Sequence, residues 1–262
     1  MPISPKVRQL VPLVLLVSSA CATMHRVEHP APALEADRPD FTESTETVLP
    51  GFIQAEGGFT MSREEGNASR SIGELLVRIP AGSRAEMRFA FNSYTIERTA
   101  GLVQRGFEDI AIGTKVRLIE REERSLVPNV SILALSTFPT GNRDIGTSVM
   151  QPTAKLALGW QLSERLSLGS NANYSYVSED GTRYSQWGTS ASLGAEITPR
   201  LEGFLEWFGE TAPSPGERRA DYLDAGAGLK LGGSLRVDAR AGANTRGGSR
   251  DYFVGFGLSR RW

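Results

Sequence analysis

The stretch Asp251–Trp262, "DYFVGFGLSRRW", decides the fold. Tyr252, Val254, Phe256, Leu258, Arg260 and Trp262 share one parity, while Phe253, Gly255, Gly257, Ser259 and Arg261 share the other. The first face is mostly large and apolar, the second mostly small or polar. That period of two belongs to a strand with one greasy side. Domains usually leave a polar, frayed tail, yet this chain finishes on its largest apolar side chain. A soluble sandwich strand shows the same alternation, so the choice between the two depends on what lies upstream.

The same texture recurs from residue 51 onward. In Leu166–Val177, Leu166, Leu168, Ala172, Tyr174 and Tyr176 oppose Ser167, Gly169, Asn171, Asn173 and Ser175. In Leu235–Asn244, Leu235, Val237, Ala239, Ala241 and Ala243 oppose Arg236, Asp238, Arg240 and Asn244. Twelve candidate strands emerge, near 52–63, 70–80, 84–95, 108–120, 125–138, 150–162, 165–177, 185–197, 200–210, 220–231, 234–245 and 252–262. The segment at 125–138 alternates poorly, and its register is the least defined. Tight connections at Ala81–Ser83, Arg121–Arg124, Ser163–Glu164, Thr198–Pro199 and Gly232–Gly233 alternate with longer polar ones near 64–69, 96–107, 139–149, 178–184, 211–219 and 246–251. Short turn, long loop, short turn is the hairpin arithmetic of an outer-membrane barrel.

The strands are long and even in number, and no central set of uniformly apolar runs stands out to make a buried core. Trp160, Trp187, Trp207 and Trp262 all fall on the apolar parity near strand ends, where an interfacial aromatic girdle needs them. The expected fold is therefore all-β, a transmembrane antiparallel up-and-down β-barrel of about twelve strands. The last strand must pair with the first, because an open sheet edge is intolerable in lipid. A terminal aromatic on an alternating strand also resembles the C-terminal signal read by the outer-membrane barrel assembly machinery.

Upstream of the barrel the chain changes character. Lys6 and Arg8, then the apolar run Leu10–Ala20, then Ala20-Cys21-Ala22 read as a signal peptide over residues 1–22. The alternative is cleavage before Cys21 with lipidation, although Ser18 stands where that motif prefers leucine. Residues 23–50 carry Pro30, Pro32, Pro39 and Pro50 and read as a short, extended, polar periplasmic segment. The domain organisation is thus signal peptide 1–22, polar segment 23–50 and outer-membrane barrel 51–262. The segment Asp37–Pro50 lies just before the first strand and is placed to fold back into the periplasmic mouth.

Several chemistries are excluded. The formal charge of −1, without a basic face, argues against nucleic acid. His25–His29, "HRVEH", matches a metalloprotease spacing, but it runs into Pro30 and lacks a helical pattern, so a solvated tail is the expectation. The two histidines of the chain both lie there, which leaves the barrel without the base of a His-dependent triad. No enzyme activity, cofactor or metal is implied. The polar parity carries Glu56, Arg88, Lys115, Arg117, Lys155, Glu196, Glu206, Arg236, Asp238 and Arg240 as candidate lumen-lining residues. Glu74, Arg78, Glu202, Asp224 and Lys230 share that parity. With both signs present, they are expected to pair across strands and fill the interior; a selective ion-lined path is the alternative.

Three stretches carry a family resemblance. "DRPDFTEST" (Asp37–Thr45) followed by "LPGFIQAEGGFT" (Leu49–Thr60), then "GFEDIAIGTKVRL" (Gly106–Leu118) and "VPNVSILALSTFPTG" (Val127–Gly141), resemble the landmarks of the outer-membrane barrel family named for a meta-pathway of phenol degradation. The resemblance covers most of residues 37–262. It implies a transporter or channel in the bacterial outer membrane for small, hydrophobic or aromatic solutes. The rival reading is a closed barrel that anchors or adheres and conducts nothing.

Overall fold

The computed structural model describes residues 34–64, 66–121, 125–179, 181–212, 219–246 and 251–262. The signal-peptide reading and the His25–His29 motif lie outside the described residues. The strands are β1 (Gln54–Glu64), β2 (Asn67–Pro80), β3 (Ala85–Phe91), β4 (Tyr94–Thr99), β5 (Leu102–Phe107), β6 (Ile110–Ile119) and β7 (Asn129–Phe138). They continue with β8 (Gln151–Gln161), β9 (Leu166–Glu179), β10 (Thr182–Thr198), β11 (Leu201–Glu210), β12 (Ala220–Lys230), β13 (Leu235–Asn244) and β14 (Tyr252–Arg261). All pairings are antiparallel, and β14 pairs with β1 from Gln54↔Arg261 to Arg63↔Tyr252, which closes the cylinder.

Among the described residues, fourteen elements make twelve wall strands. β2 pairs with β3 through Leu75–Pro80 and with β4 through Ala68–Ile72, so β3 and β4 are one wall strand interrupted at Asn92–Ser93. β5 and β6 are likewise one strand, broken at Glu108–Asp109. This corrects the loop expected at 96–107. The chain there stays extended on both sides of a two-residue turn, Ala100–Gly101, with φ of 50° and 88°. Two consecutive positive φ values match the twist of the flanking strands and keep a hairpin tight. The connections expected as longer at 64–69 and 178–184 are also short, since β1 and β2 end at Glu64 and Asn67 and β9 and β10 at Glu179 and Thr182.

The polarity of the barrel is inverted relative to a water-soluble domain. Ile72, Phe91, Leu205, Phe256 and Leu258 are exposed on the outside, whereas Glu56, Arg78, Glu86, Lys115 and Glu206 are fully buried inside. A large exposed apolar surface of this kind is the lipid-facing band of a membrane barrel. In β14 the two parities separate as the sequence reads: Tyr252, Phe256, Leu258 and Arg260 point out, and Phe253, Gly255, Ser259 and Arg261 are buried. The four tryptophans sit on the outward parity. Trp160 and Trp262 lie toward the end that holds Gln54 and Arg261, and Trp187 and Trp207 toward the far end.

Three register slips interrupt the described pairings, at β1 against β2, β6 against β7, and between Glu196 and Thr198 near the end of β10. Between Glu56/Gly58 on β1 and Leu76/Gly73 on β2 the register slips by one residue. The extra residue is accommodated at Gly73 and Glu74, with φ of 110° and 41°. This β-bulge exchanges the two faces of β2. Ile72 points outward before it, Leu75 and Ile79 outward after it, and Glu74 turns in. A second slip between Arg117 and Ile119 resets β6 against β7. Before that slip, the poorly alternating segment places Leu133 and Ser131 inside, opposite Lys115 and Arg117, and Ile132 outside.

Candidate functional site

The lumen is not empty: residues 34–50 run along its inner wall. Leu34, Asp37, Thr42, Thr45, Thr47 and Val48 are buried there. The segment forms no strand, so its backbone groups need partners from the wall. Glu56 accepts from the amides of Asp37 and Arg38 at 3.0 and 3.1 Å. Glu206 accepts from the amides of Phe41 and Thr42 at 2.6 and 2.7 Å and also from the Thr42 hydroxyl. Asn171 brackets Glu43, accepting from its amide at 2.7 Å and donating to its carbonyl at 3.1 Å. Glu86 accepts from the Val48 amide at 2.8 Å, and Ser131 donates to the Thr45 carbonyl at 2.6 Å.

Charge pairs add to these bonds at the centre. The Asp37 carboxylate meets Arg88 at 2.6 Å, Lys115 at 2.8 Å and Arg78 at 3.3 Å. Arg78 also reaches Glu56 and Glu86, each at 2.9 Å. Glu43 bridges Arg88 at 2.8 Å and Lys155 at 3.2 Å. A buried ion survives only when it is paired and hydrogen-bonded, and this network satisfies that condition on β2, β3 and β6. Burial works to raise the pKa of Asp37, but Arg78, Lys115 and Arg88 together hold its carboxyl well below the usual range.

Arg38 locks a second point. Its guanidinium pairs with Glu74 at 2.7 Å and lies over Gly58 and Gly257, which face each other across β1 and β14. A Cβ on either glycine overlaps the guanidinium. Absence of a side chain at this pair makes the notch. The β-bulge supplies the other half, because it turns Glu74 toward the lumen.

The opposite wall is looser. A cavity of about 540 Å³ remains between residues 35–46 and the inner faces of β8–β13, where Gly159, Ser167, Gly169, Ser192, Gly194 and Gly228 contribute little side-chain volume. Glu202 closes its charged edge, pairing with Lys230 at 3.0 Å and Arg236 at 2.5 Å. Asp40 lies on this side, with Ser192 donating to it at 3.1 Å. Burial, with Glu206 beside it, pushes the Asp40 carboxyl well above the usual range.

Of the ten candidate lumen residues, Glu56, Arg88, Lys115, Arg117, Glu206, Arg236 and Asp238 are buried, and all but Arg117 are polar partners or neighbours of residues 35–43. Arg117 meets Glu46 at 3.0 Å and Thr47 at 3.1 Å instead. Lys155 is half-buried against Glu43. Glu196 is exposed at the rim of the cavity, and Arg240 is half-buried.

An aromatic cluster on the polar parity escapes the sequence reading. Phe41 stacks on Phe208 at 4.5 Å between centroids and 10° between planes, and Phe208 stacks on Tyr222 at 5.2 Å and 14°. Phe253 leans on both, at 6.2 and 5.8 Å. The signal that could have found it is positional: Phe208, Tyr222 and Phe253 share parity with Glu206, Asp224 and Ser259 and so face inward.

Comparison with known proteins matches residues 36–262 to the family described as "Putative MetA-pathway of phenol degradation". The chain belongs to this family. No curated protein matches it. Among solved structures it is similar to an outer-membrane channel from Pseudomonas putida F1, at 12% identity and a TM-score of 0.68, covering 87% of this chain and 100% of that one. It is also similar to the NanC porin, at 10% identity and a TM-score of 0.53, covering 79% of this chain and 98% of that one. At such identities the likeness is one of fold, and it places this member of the family among outer-membrane barrels.

Proposed function

We propose that the protein is an outer-membrane channel for small hydrophobic or aromatic molecules, kept shut to free diffusion by its own residues 34–50. The observation that carries this reading is the contrast inside the lumen. One wall clamps the segment through buried ion pairs, and the other leaves a cavity of about 540 Å³ beside it. Membership of the family and the porin-like architecture support a conducting role rather than an enzymatic one. The tryptophans at two levels of the outer face fit interfacial girdles, and β14 with Trp262 fits a substrate of the barrel assembly machinery.

The occupied lumen also favours the rival, a closed barrel that anchors and conducts nothing. Planar-bilayer recording separates the two. The mature protein is expected to show low, flickering conductance, and a chain lacking residues 23–48 larger openings. Liposomes carrying either protein should take up small aromatic solutes faster than protein-free ones. Silent bilayers and unchanged uptake with both proteins would establish the anchoring barrel.

A further inference from the structure

The stacked rings inside the barrel have a use beyond packing. In a lumen lined mainly by polar and small residues, Phe208, Tyr222 and Phe253 form an aromatic cluster across β11–β14. Gly242 on the intervening β13 makes it possible: a Cβ there overlaps the Phe253 ring at about 2.5 Å, so only a bare backbone lets Phe253 cross to Tyr222. The wall thus presents a half-buried aromatic platform in which Phe208 stacks on Tyr222, the rings 14° from parallel, with the other face of Phe208 turned to the lumen segment.

The ring that covers this platform comes from elsewhere. Phe41 belongs to the lumen segment, and it sits on Phe208 at 4.5 Å and 10°, the offset-parallel arrangement that aromatic faces prefer. The amide of Phe41 is at the same time one of the donors to Glu206, so the stack and the anchoring of the segment share a residue. Phe41 is a benzyl group held where a free aromatic molecule would bind.

We propose that Phe208 and Tyr222 form a binding subsite for an uncharged, planar aromatic solute, and that the solute competes with Phe41 for it. Occupation of the subsite frees Phe41 and strips one contact from the segment that closes the lumen, so the solute promotes its own passage. Planarity follows from the stacking geometry. Neutrality follows from surroundings that carry both signs: the carboxylates of Glu206 and Asp224 flank the platform, Lys155 lies 5.8 Å from the Phe41 ring whose place the solute takes, and Arg240 covers the Phe253 face at 4.9 Å. The inference rests on the channel reading above and adds the place of binding and its coupling to opening.

Phenol and cyclohexanol are suitable probes, since they share a hydroxyl and a six-membered ring and differ in flatness. In bilayers containing the mature protein, millimolar phenol is expected to raise the open probability several-fold and cyclohexanol to leave it near baseline. Phe208→Leu should lose the phenol response. Phe41→Leu should start from a higher open probability and respond little. Saturation-transfer NMR on the refolded barrel in micelles reads binding directly and should show phenol contact that Phe208→Leu weakens. Heat-modifiable migration confirms that each variant is folded. Equal responses to the two alcohols, or an undiminished phenol response and binding in Phe208→Leu, would overturn the subsite. Aromatic uptake by liposomes that is the same for wild type and Phe208→Leu would overturn the subsite and leave the channel reading standing. Absence of uptake with phenol contact at the barrel intact would remove the channel reading and keep the site.

Discussion

The two halves of the inner wall solve opposite problems. On β1–β3 and β6, Glu56, Arg78, Glu86, Arg88 and Lys115 are packed so closely around Asp37 that the segment has no room to slide. On β8–β13, glycines and serines keep the wall thin and leave a cavity. The difference is where side-chain volume has been placed: long ionic side chains make an anchor, short ones make space. One half grips, the other leaves a cavity.

Removing the gripped segment should have the largest effect. Residues 34–48 carry five acids and one arginine, a net of four negative charges. Without them the lumen keeps Arg78, Arg88, Lys115, Arg117 and Arg236 with fewer counter-charges. A chain lacking 23–48 is therefore expected to conduct more and to prefer anions, read as a shift of reversal potential in a salt gradient. A cation preference would mean that the wall acids dominate.

Asp37→Ala tests the grip with a single residue. It leaves Arg78, Arg88 and Lys115 facing one another, and breaking a buried pair on one side typically costs about 3–5 kcal/mol. Docking of the segment should weaken enough for proteases to cut within residues 34–50 of the folded barrel. Ser192→Ala, on the roomy side, removes one hydrogen bond to Asp40 at 3.1 Å and should cost about 1 kcal/mol. Equal protease sensitivity in the two variants would erase the distinction between the halves.

The outer and inner parities of β14 give a third test. Phe256→Lys places a cation on the lipid face and should lower folding stability by about 2–4 kcal/mol near mid-membrane. Gly257→Ala should leave the barrel folded but push Arg38 out of its notch, raising open probability without changing heat-modifiability. Loss of folding in both would show that Arg38 is part of barrel assembly.

The smallest effect concerns pH. The raised pKa of Asp40 means that the docked segment holds a proton that the free segment releases. The contribution of Asp40 to docking is then strongest below the ordinary aspartate range and is lost as pH rises through the raised value, whereas the Asp37 contribution is lost only in strong acid. Once ionised, Asp40 confronts Glu206, with Arg236 as the opposing cation and Ser192 as the hydrogen-bond donor. Open probability should increase from mildly acidic to alkaline solution, and Asp40→Asn should flatten the profile. A profile unchanged by Asp40→Asn would assign the dependence to another group.

Much of this architecture is legible in the sequence because alternation is a local property. Leu235–Asn244 and Tyr252–Arg261 show their two faces without help from any neighbour. Gly73 and Glu74 hide the exchange of faces in β2, since a bulge depends on the partner strand. Ala100–Gly101 and the Asp180-Gly181 dipeptide are turn signals, yet the charged residues around them read as loop. Leu133 faces inward because it lies opposite Lys115 in the pairing of β6 with β7, a partnership that its own strand does not show. The lumen segment reads only as far as a mouth, since nothing local in "DRPDFTEST" reveals that Lys115 and Glu206, far along the chain, will meet it. Phe208 and Tyr222 stay hidden for a related reason: an aromatic beside acids on the inward parity reads as an exception until three strands bring the rings together.

The ionic anchoring contacts also differ from the seam in sequence separation. Asp37 finds Arg78, Arg88 and Lys115 within 78 residues of itself, whereas the seam between β1 and β14 joins positions about two hundred residues apart. Contacts of short separation form early because little chain entropy is lost in closing them. The segment can therefore nucleate the first strands and be enclosed as the later ones curl round, like a mandrel left inside the tube it shaped. A peptide of residues 34–50 should accordingly close a barrel lacking them when present during refolding, and fail to do so when added afterwards.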